Sequence, residues 1–150
     1  SHPIISVEEI VKKSAGFSDS VVVTGGEPLM WNMNPLTKAL KKIGKKTHIE
    51  TSGAYPMTGY WDWICLSPKK AKLPIEDAYN HAHELKIIIY NNHDFKFAEQ
   101  EAKKVNKNAI LYLQPEWSKR EEMMPLMVDF IKKNPKWKIS LQTHKYLNIP

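Results

Sequence analysis

The chain has 150 residues, 42% of them hydrophobic and 25% charged, with a formal net charge of +6 and a single cysteine. A chain of that length buries roughly 68–70% of its unfolded surface, enough for one core, so a single domain over residues 1–150 is expected. Cys65 alone excludes an internal disulfide framework and a cysteine-held metal cluster built from this chain; no run reaches the ~18 apolar residues of a membrane span, and a cytoplasmic protein is expected.

Ser6 and Glu9 form a capping box, Val7, Ile10 and Val11 a stripe, and Gly16 a stop, which predicts a first helix. The apolar run Val21-Val22-Val23 predicts a buried strand through Thr24. It closes in Thr24-Gly25-Gly26-Glu27-Pro28: a glycine pair that reads as a plain turn or as bare backbone that a ligand can approach, a charge at the rim, and a proline that stops the strand. Asn34 as a cap, Pro35 at the first helical position, Leu36, Leu40 and Ile43 on one face and Gly44 at the end predict a second helix. Residues 47–51 and 63–66 read as strands, and residues 85–90, with Ile87-Ile88-Ile89, as a strongly apolar one. Phe95, Ala98, Ala102 and Val105 mark a helix, and residues 110–113 a strand. Ser118 and Glu121 form a second capping box ahead of Met123, Met127, Phe130 and Ile131, with Pro125 expected to kink that helix or delay its start. Residues 138–141 are the last expected strand.

Four lysine pairs, Lys12-Lys13, Lys41-Lys42, Lys103-Lys104 and Lys132-Lys133, fall at predicted helix ends, where cations suit the helix dipole. The aromatic–basic stretches Phe95-Lys96-Phe97 and Lys136-Trp137-Lys138 make no stacking platform, so no direct nucleic-acid partner is expected.

Apolar strands alternating with helices predict an α/β fold with a parallel sheet covered by helices, either open and doubly wound or barrel-like. In both, ligands sit at the carboxyl ends of the strands. Those ends carry Thr24 to Glu27, Glu50 to Gly53, Ser67-Pro68-Lys69, Tyr90-Asn91-Asn92, Gln114-Pro115-Glu116-Trp117 and Gln142-Thr143-His144. Such polarity suits one shared cavity, and it suits separate solvent-facing turns equally. Glu50 reads either as a catalytic or ligand-binding group or as a buried carboxylate paired with a lysine. Ser67 to Lys69 reads as a site or a plain turn, and His144 as a ligand, a base or a satisfied histidine. No Ser/His/Asp order, P-loop or HExxH string is present, and His48, His81, His83 and His93 form no convincing metal set.

The strings themselves say more. TGGEP at 24–28, ETSG at 50–53, SPK at 67–69, QP at 114–115 and the closing LQTHKYLNIP at 141–150 resemble 7-carboxy-7-deazaguanine synthases, small radical S-adenosylmethionine (SAM) enzymes of the queuosine and 7-deazapurine pathway. The likeness runs from about Ser6 to the last residue. It implies a parallel-sheet partial (β/α) barrel and a carbon–nitrogen lyase. The reaction would convert 6-carboxy-5,6,7,8-tetrahydropterin to 7-carboxy-7-deazaguanine with loss of ammonia, feeding tRNA modification. SAM, a [4Fe-4S] cluster and Mg2+ are the implied cofactors, an electron donor such as flavodoxin the implied partner, and a homodimer the possible assembly. By resemblance, Thr24 would touch the pterin. Gly26, Ser67, Pro68, Lys69 and the stretch Gln114, Pro115, Glu116, Trp117 would hold SAM. Glu50 would face the reacting pair, His144 would flank the pterin ring, and Pro150 would use its terminal carboxylate on the adjacent N–H donors of the 2-amino-4-oxopyrimidine edge.

The family's CxxxCxxC loop and magnesium threonine precede the point where this chain begins, so the chain is expected to be the C-terminal two-thirds or so of the enzyme and inactive by itself. Two other readings share some of its features: a radical SAM activase of a glycyl-radical enzyme, through TGGEP, and a non-catalytic basic α/β binding domain, through the charge.

Overall fold

The structure, a computed structural model, describes residues 5–148. The chain forms two compact units, Ser1–His81 and Ala82–Pro150.

In the first unit, helix α1 (Val7–Ser14) is capped by Ser6, whose hydroxyl accepts from the Glu9 amide at 3.2 Å, as the capping box predicts. Strand β1 (Ser20–Val23), helix α2 (Asn34–Lys42), strand β2 (Lys46–Thr51), strand β3 (Trp63–Leu66) and the short helix α3 (Glu76–His81) follow. The strands pair in parallel, β1 on β2 with Val21 opposite Thr47, and β2 on β3 with Ile49 opposite Ile64. Leu40, Ile49 and Leu66 are fully buried, and Met33, Tyr55, Met57 and Trp61 pack against Leu29, Ile49 and Ile64. Burial of β1 is less complete than the apolar run suggests, since Val22 is 59% exposed. Asn34 does not cap α2; it is the first helical residue, and its side-chain oxygen accepts from the Gly59 amide at 2.7 Å.

No helix crosses between β2 and β3. Side chains from α2 and β2 hold that connection instead: Thr37 accepts from the Tyr60 amide at 3.0 Å, and the Thr47 hydroxyl donates to the Tyr60 carbonyl. Asp62 then joins three elements at once. Its carboxylate accepts from Lys41 of α2 at 2.7 Å and from the Thr47 amide of β2 at 2.8 Å. Lys45, buried where lysines are rare, donates to the carbonyls of Phe17 and Ser18 at 3.1 and 3.0 Å and so fixes the turn before β1.

In the second unit, strand β4 (Glu84–Ile89), helix α4 (His93–Ala102), strand β5 (Ile110–Pro115), helix α5 (Arg120–Lys133), strand β6 (Trp137–Ile139) and the short α6 (Thr143–Tyr146) alternate. β5 pairs in parallel with β4 and with β6. Leu85, Ile87, Ile89, Leu113, Met127 and Trp137 are almost wholly buried, and the rings of Phe95 on α4 and Phe130 on α5 meet at 4.8 Å. Pro125 lies inside α5 without ending it. The second capping box does not form: Ser118 sits in a 3-10 turn (Trp117–Lys119), and its amide and hydroxyl donate to Glu116. β5 also runs two residues further than the apolar pattern shows, which places Gln114 and Pro115 in the strand, opposite Ile88 and Ile89. No helix of the described residues is long and apolar enough to cross a membrane.

Hydrogen bonds from Lys41 and the Thr47 amide hold the Asp62 carboxyl down to about 2, against an ordinary 3.8. A carboxyl with a lowered folded pKa adds stability that is complete above its unfolded pKa and is lost as pH falls through the folded one. Asp62→Asn is therefore expected to lower the Tm at pH 7 by about 1–3 °C, a modest shift because the ion pair is partly exposed. It should also remove part of the stability loss between about pH 4 and pH 2, read by thermal unfolding across that range.

Candidate functional site

The carboxyl ends of β1, β2 and β3 open onto a cavity of about 300 Å3 lined by Thr24, Gly25, Gly26, Glu27, Glu50, Thr51, Ser52, Ser67 and Lys69. Its first wall is main chain. Gly25 and Gly26 both take positive φ, 89° and 56°, and a Cβ on either would meet no atom within 4 Å. The backbone angle, and not crowding, dictates glycine there, and the bare peptide groups stay open to the cavity. The two left-handed residues turn the chain so that Glu27, at an extended φ of −131°, faces the end of β2.

Glu27 is no bare charge at a rim. Its carboxylate accepts from the Leu29 amide at 3.1 Å, the Thr51 hydroxyl at 2.5 Å, the Ser52 amide at 2.7 Å and the Ser52 hydroxyl. Partial burial pushes its pKa up, but the bonds from Ser52, Thr51 and Leu29 outweigh that and hold it below the ordinary carboxylate value.

Ser67 forms the floor. It is 3% exposed, and its amide donates to the Thr51 carbonyl at 2.8 Å. Its hydroxyl has no hydrogen-bond partner among the described residues. A buried hydroxyl left so costs about 1–3 kcal/mol, which a polar ligand group in the cavity would recover. Lys69 is exposed at the mouth, and Glu50, half-buried on β2, lines one side. Pro68 is buried between Ser67 and Lys69 and fixes their turn.

The cavity thus brings together Thr24, Gly26, Glu50, Ser67 and Lys69 of the residues that the resemblance assigns, and adds Gly25, Glu27, Thr51 and Ser52. In the second unit, Gln114 is buried and its side-chain oxygen accepts from Ser140 at 3.3 Å. Glu116 is occupied locally: the Ser118 hydroxyl is the main cause of its lowered pKa. The Trp117 ring lies 4.4 Å from the Arg120 guanidinium and 5.0 Å from the Tyr146 ring. His144 is exposed on α6, and Pro150 lies outside the described residues.

SAM fits the first unit's donor set, because the cavity offers open glycine main chain, an orphaned hydroxyl and an ammonium. A cluster does not fit the residues present. Among the described residues no three His, Cys, Asp or Glu side chains form a metal-holding group, and Cys65 is buried in β3.

No protein-family model matches the chain. It is 63% identical over 149 residues to 7-carboxy-7-deazaguanine synthase of Flavobacterium psychrophilum and 49% identical over 149 residues to that of Synechocystis, covering 99% of this chain and 71% of each relative. The crystal structure of QueE from Escherichia coli superposes with a TM-score of 0.80 at 26% identity, over 92% of this chain and 64% of that one. An α/β core of parallel strands with a glycine-walled cavity at their carboxyl ends is therefore a radical SAM fold, the partial barrel expected from the sequence. Within that class, the chain belongs to the 7-carboxy-7-deazaguanine synthase family.

Gly53, the glycine of the second motif, differs from Gly25 and Gly26 in kind. Its φ is +71°, and a Cβ would overlap Leu66 and come within 2.9 Å of Ala78 and 3.1 Å of Pro74. It is a packing residue. Gly53→Ala is expected to cost about 2–5 kcal/mol, from left-handed strain plus overpacking, measured by denaturant unfolding. Gly25→Ala should cost only the strain, about 1–2 kcal/mol.

Proposed function

We propose that the chain serves a radical SAM carbon–nitrogen lyase that converts 6-carboxy-5,6,7,8-tetrahydropterin to 7-carboxy-7-deazaguanine with loss of ammonia, in 7-deazapurine and queuosine biosynthesis. The observation that carries this reading is the 63% identity over nearly the whole chain to a synthase of that name. The orphaned Ser67 hydroxyl beside the Gly25-Gly26 main chain supports a SAM site in particular.

In this reading, Gly26 offers peptide groups to the amino-acid end of SAM, the Ser67 hydroxyl donates to it, Pro68 sets the turn, and Lys69 pairs with its carboxylate. For Gln114, Pro115, Glu116 and Trp117, a part in SAM binding rests on the family resemblance alone. Thr24 donates to the pterin, and His144 flanks the pterin ring. Glu50 faces the reacting groups as the proton-handling side chain of this chain. Bound SAM would supply the radical chemistry. Three thiolates hold the cluster that reduces SAM in such enzymes, and this sequence has one cysteine, so we propose that these 150 residues do not catalyse unaided.

Ser67 separates this reading from a plain turn. Ser67→Ala removes an unpartnered buried polar atom, so the unliganded chain should be as stable or slightly more so, while SAM affinity by calorimetry falls about 5- to 10-fold. Equal affinity in the two proteins counts against the site. Anaerobic iron–sulfide reconstitution of the 150-residue chain should give no [4Fe-4S] absorbance.

A further inference from the structure

The glycine wall of the cavity is positioned by one side chain. Glu27 comes directly after Gly25 and Gly26, whose φ values of 89° and 56° define the loop. Each of its carboxylate oxygens takes two donors, and the division is regular. Oε1 accepts from the Leu29 amide at 3.1 Å on its own side and from the Thr51 hydroxyl at 2.5 Å across the gap. Oε2 accepts from both the amide and the hydroxyl of Ser52, the amide at 2.7 Å. A carboxylate has about four acceptor sites, and all are used, so none is left for a ligand.

The bonds continue beyond Glu27 with a fixed direction. The Gly53 amide donates to the Thr51 hydroxyl oxygen at 3.0 Å, so the Thr51 proton points to Glu27. The Thr51 carbonyl accepts from the Ser67 amide at 2.8 Å. One acidic side chain thereby ties the ends of β1, β2 and β3, which are the three walls of the cavity.

We infer that Glu27 is a positioning residue that staples the Gly25-Gly26 loop to Thr51 and Ser52, and through Thr51 to Ser67, so setting the spacing of the groups that hold the ligand. That the ligand is SAM rests on the reading given above; the staple itself rests on the geometry.

The geometry makes the carboxylate hard to replace. An amide has one acceptor oxygen and one NH2. Whichever way the side chain of Glu27→Gln turns, the NH2 meets a backbone N–H, that of Leu29 or that of Ser52, and backbone donors cannot reverse as hydroxyls can. Glu27→Asp keeps the charge and can still cap Leu29, but it is one methylene too short to reach Ser52. A purely local capping role would therefore leave Glu27→Asp like the native protein.

The test uses the 150-residue chain, amide hydrogen exchange without ligand, and calorimetry with SAM. In Glu27→Gln and Glu27→Asp, exchange at residues 51–53 is expected to quicken about 10-fold or more, with amides of the second unit unchanged. SAM affinity should fall about 10- to 100-fold in both. Ser52→Ala, a milder variant that keeps the fold if the others lose it, should weaken SAM about 3- to 10-fold, and its effect should not add to that of Glu27→Gln. Native exchange at residues 51–53 in Glu27→Gln, native behaviour of Glu27→Asp, or additive losses would each overturn the staple. If the native chain does not bind SAM while exchange at residues 51–53 still responds to Glu27→Gln, the ligand reading fails and the staple stands.

Discussion

Parallel strands that end side by side leave backbone donors with no further ladder to join, and a buried donor without an acceptor is costly. In the first unit one carboxylate answers part of that need. Glu27 takes the amides of Leu29 and Ser52 and the hydroxyls of Thr51 and Ser52, while the Thr51 carbonyl takes the Ser67 amide. The Ser67 hydroxyl remains unpartnered among the described residues, at the floor of the cavity. The same arrangement that completes the fold thus leaves one polar atom and two bare glycines facing the cavity.

Acidic side chains serve as backbone acceptors elsewhere. Asp94, buried in the first turn of α4, accepts from the Tyr90 and Asn91 amides at 2.7 and 2.9 Å and shapes the end of β4. Glu116 accepts from the Ser118 amide and hydroxyl after β5, and Asp62 from the Thr47 amide before β3. A carboxylate suits this work because hydrogen bonds to a charged acceptor are stronger than neutral ones. The positive balance is correspondingly ordinary. Lys12, Lys13, Lys41, Lys42, Lys132 and Lys133 occupy last helical turns, where the dipole favours them. Lys41 and Lys136 pair with Asp62 and Glu99, across 2.7 and 2.9 Å.

The amino-acid order by itself determined the parallel α/β class, the existence of all six strands, the first helix cap, and the polar strand-end strings from which the first unit's cavity is lined. Continuous apolar runs need cover, and glycine pairs after a strand permit the positive φ that a tight turn demands; both are local properties that survive folding. Helix α3 was not legible, because a six-residue helix carries less than two turns of pattern. Nor was the end of β5 at Pro115, since Gln114 is polar by type and buried only by its place between β4 and β6. Tertiary structure alone decided the work of Glu27, the exposure of Val22 and the difference between Gly53 and the glycines of the first motif. Each depends on which atoms of a distant strand or helix come within a few ångströms, and spacing along a chain holds no record of that distance.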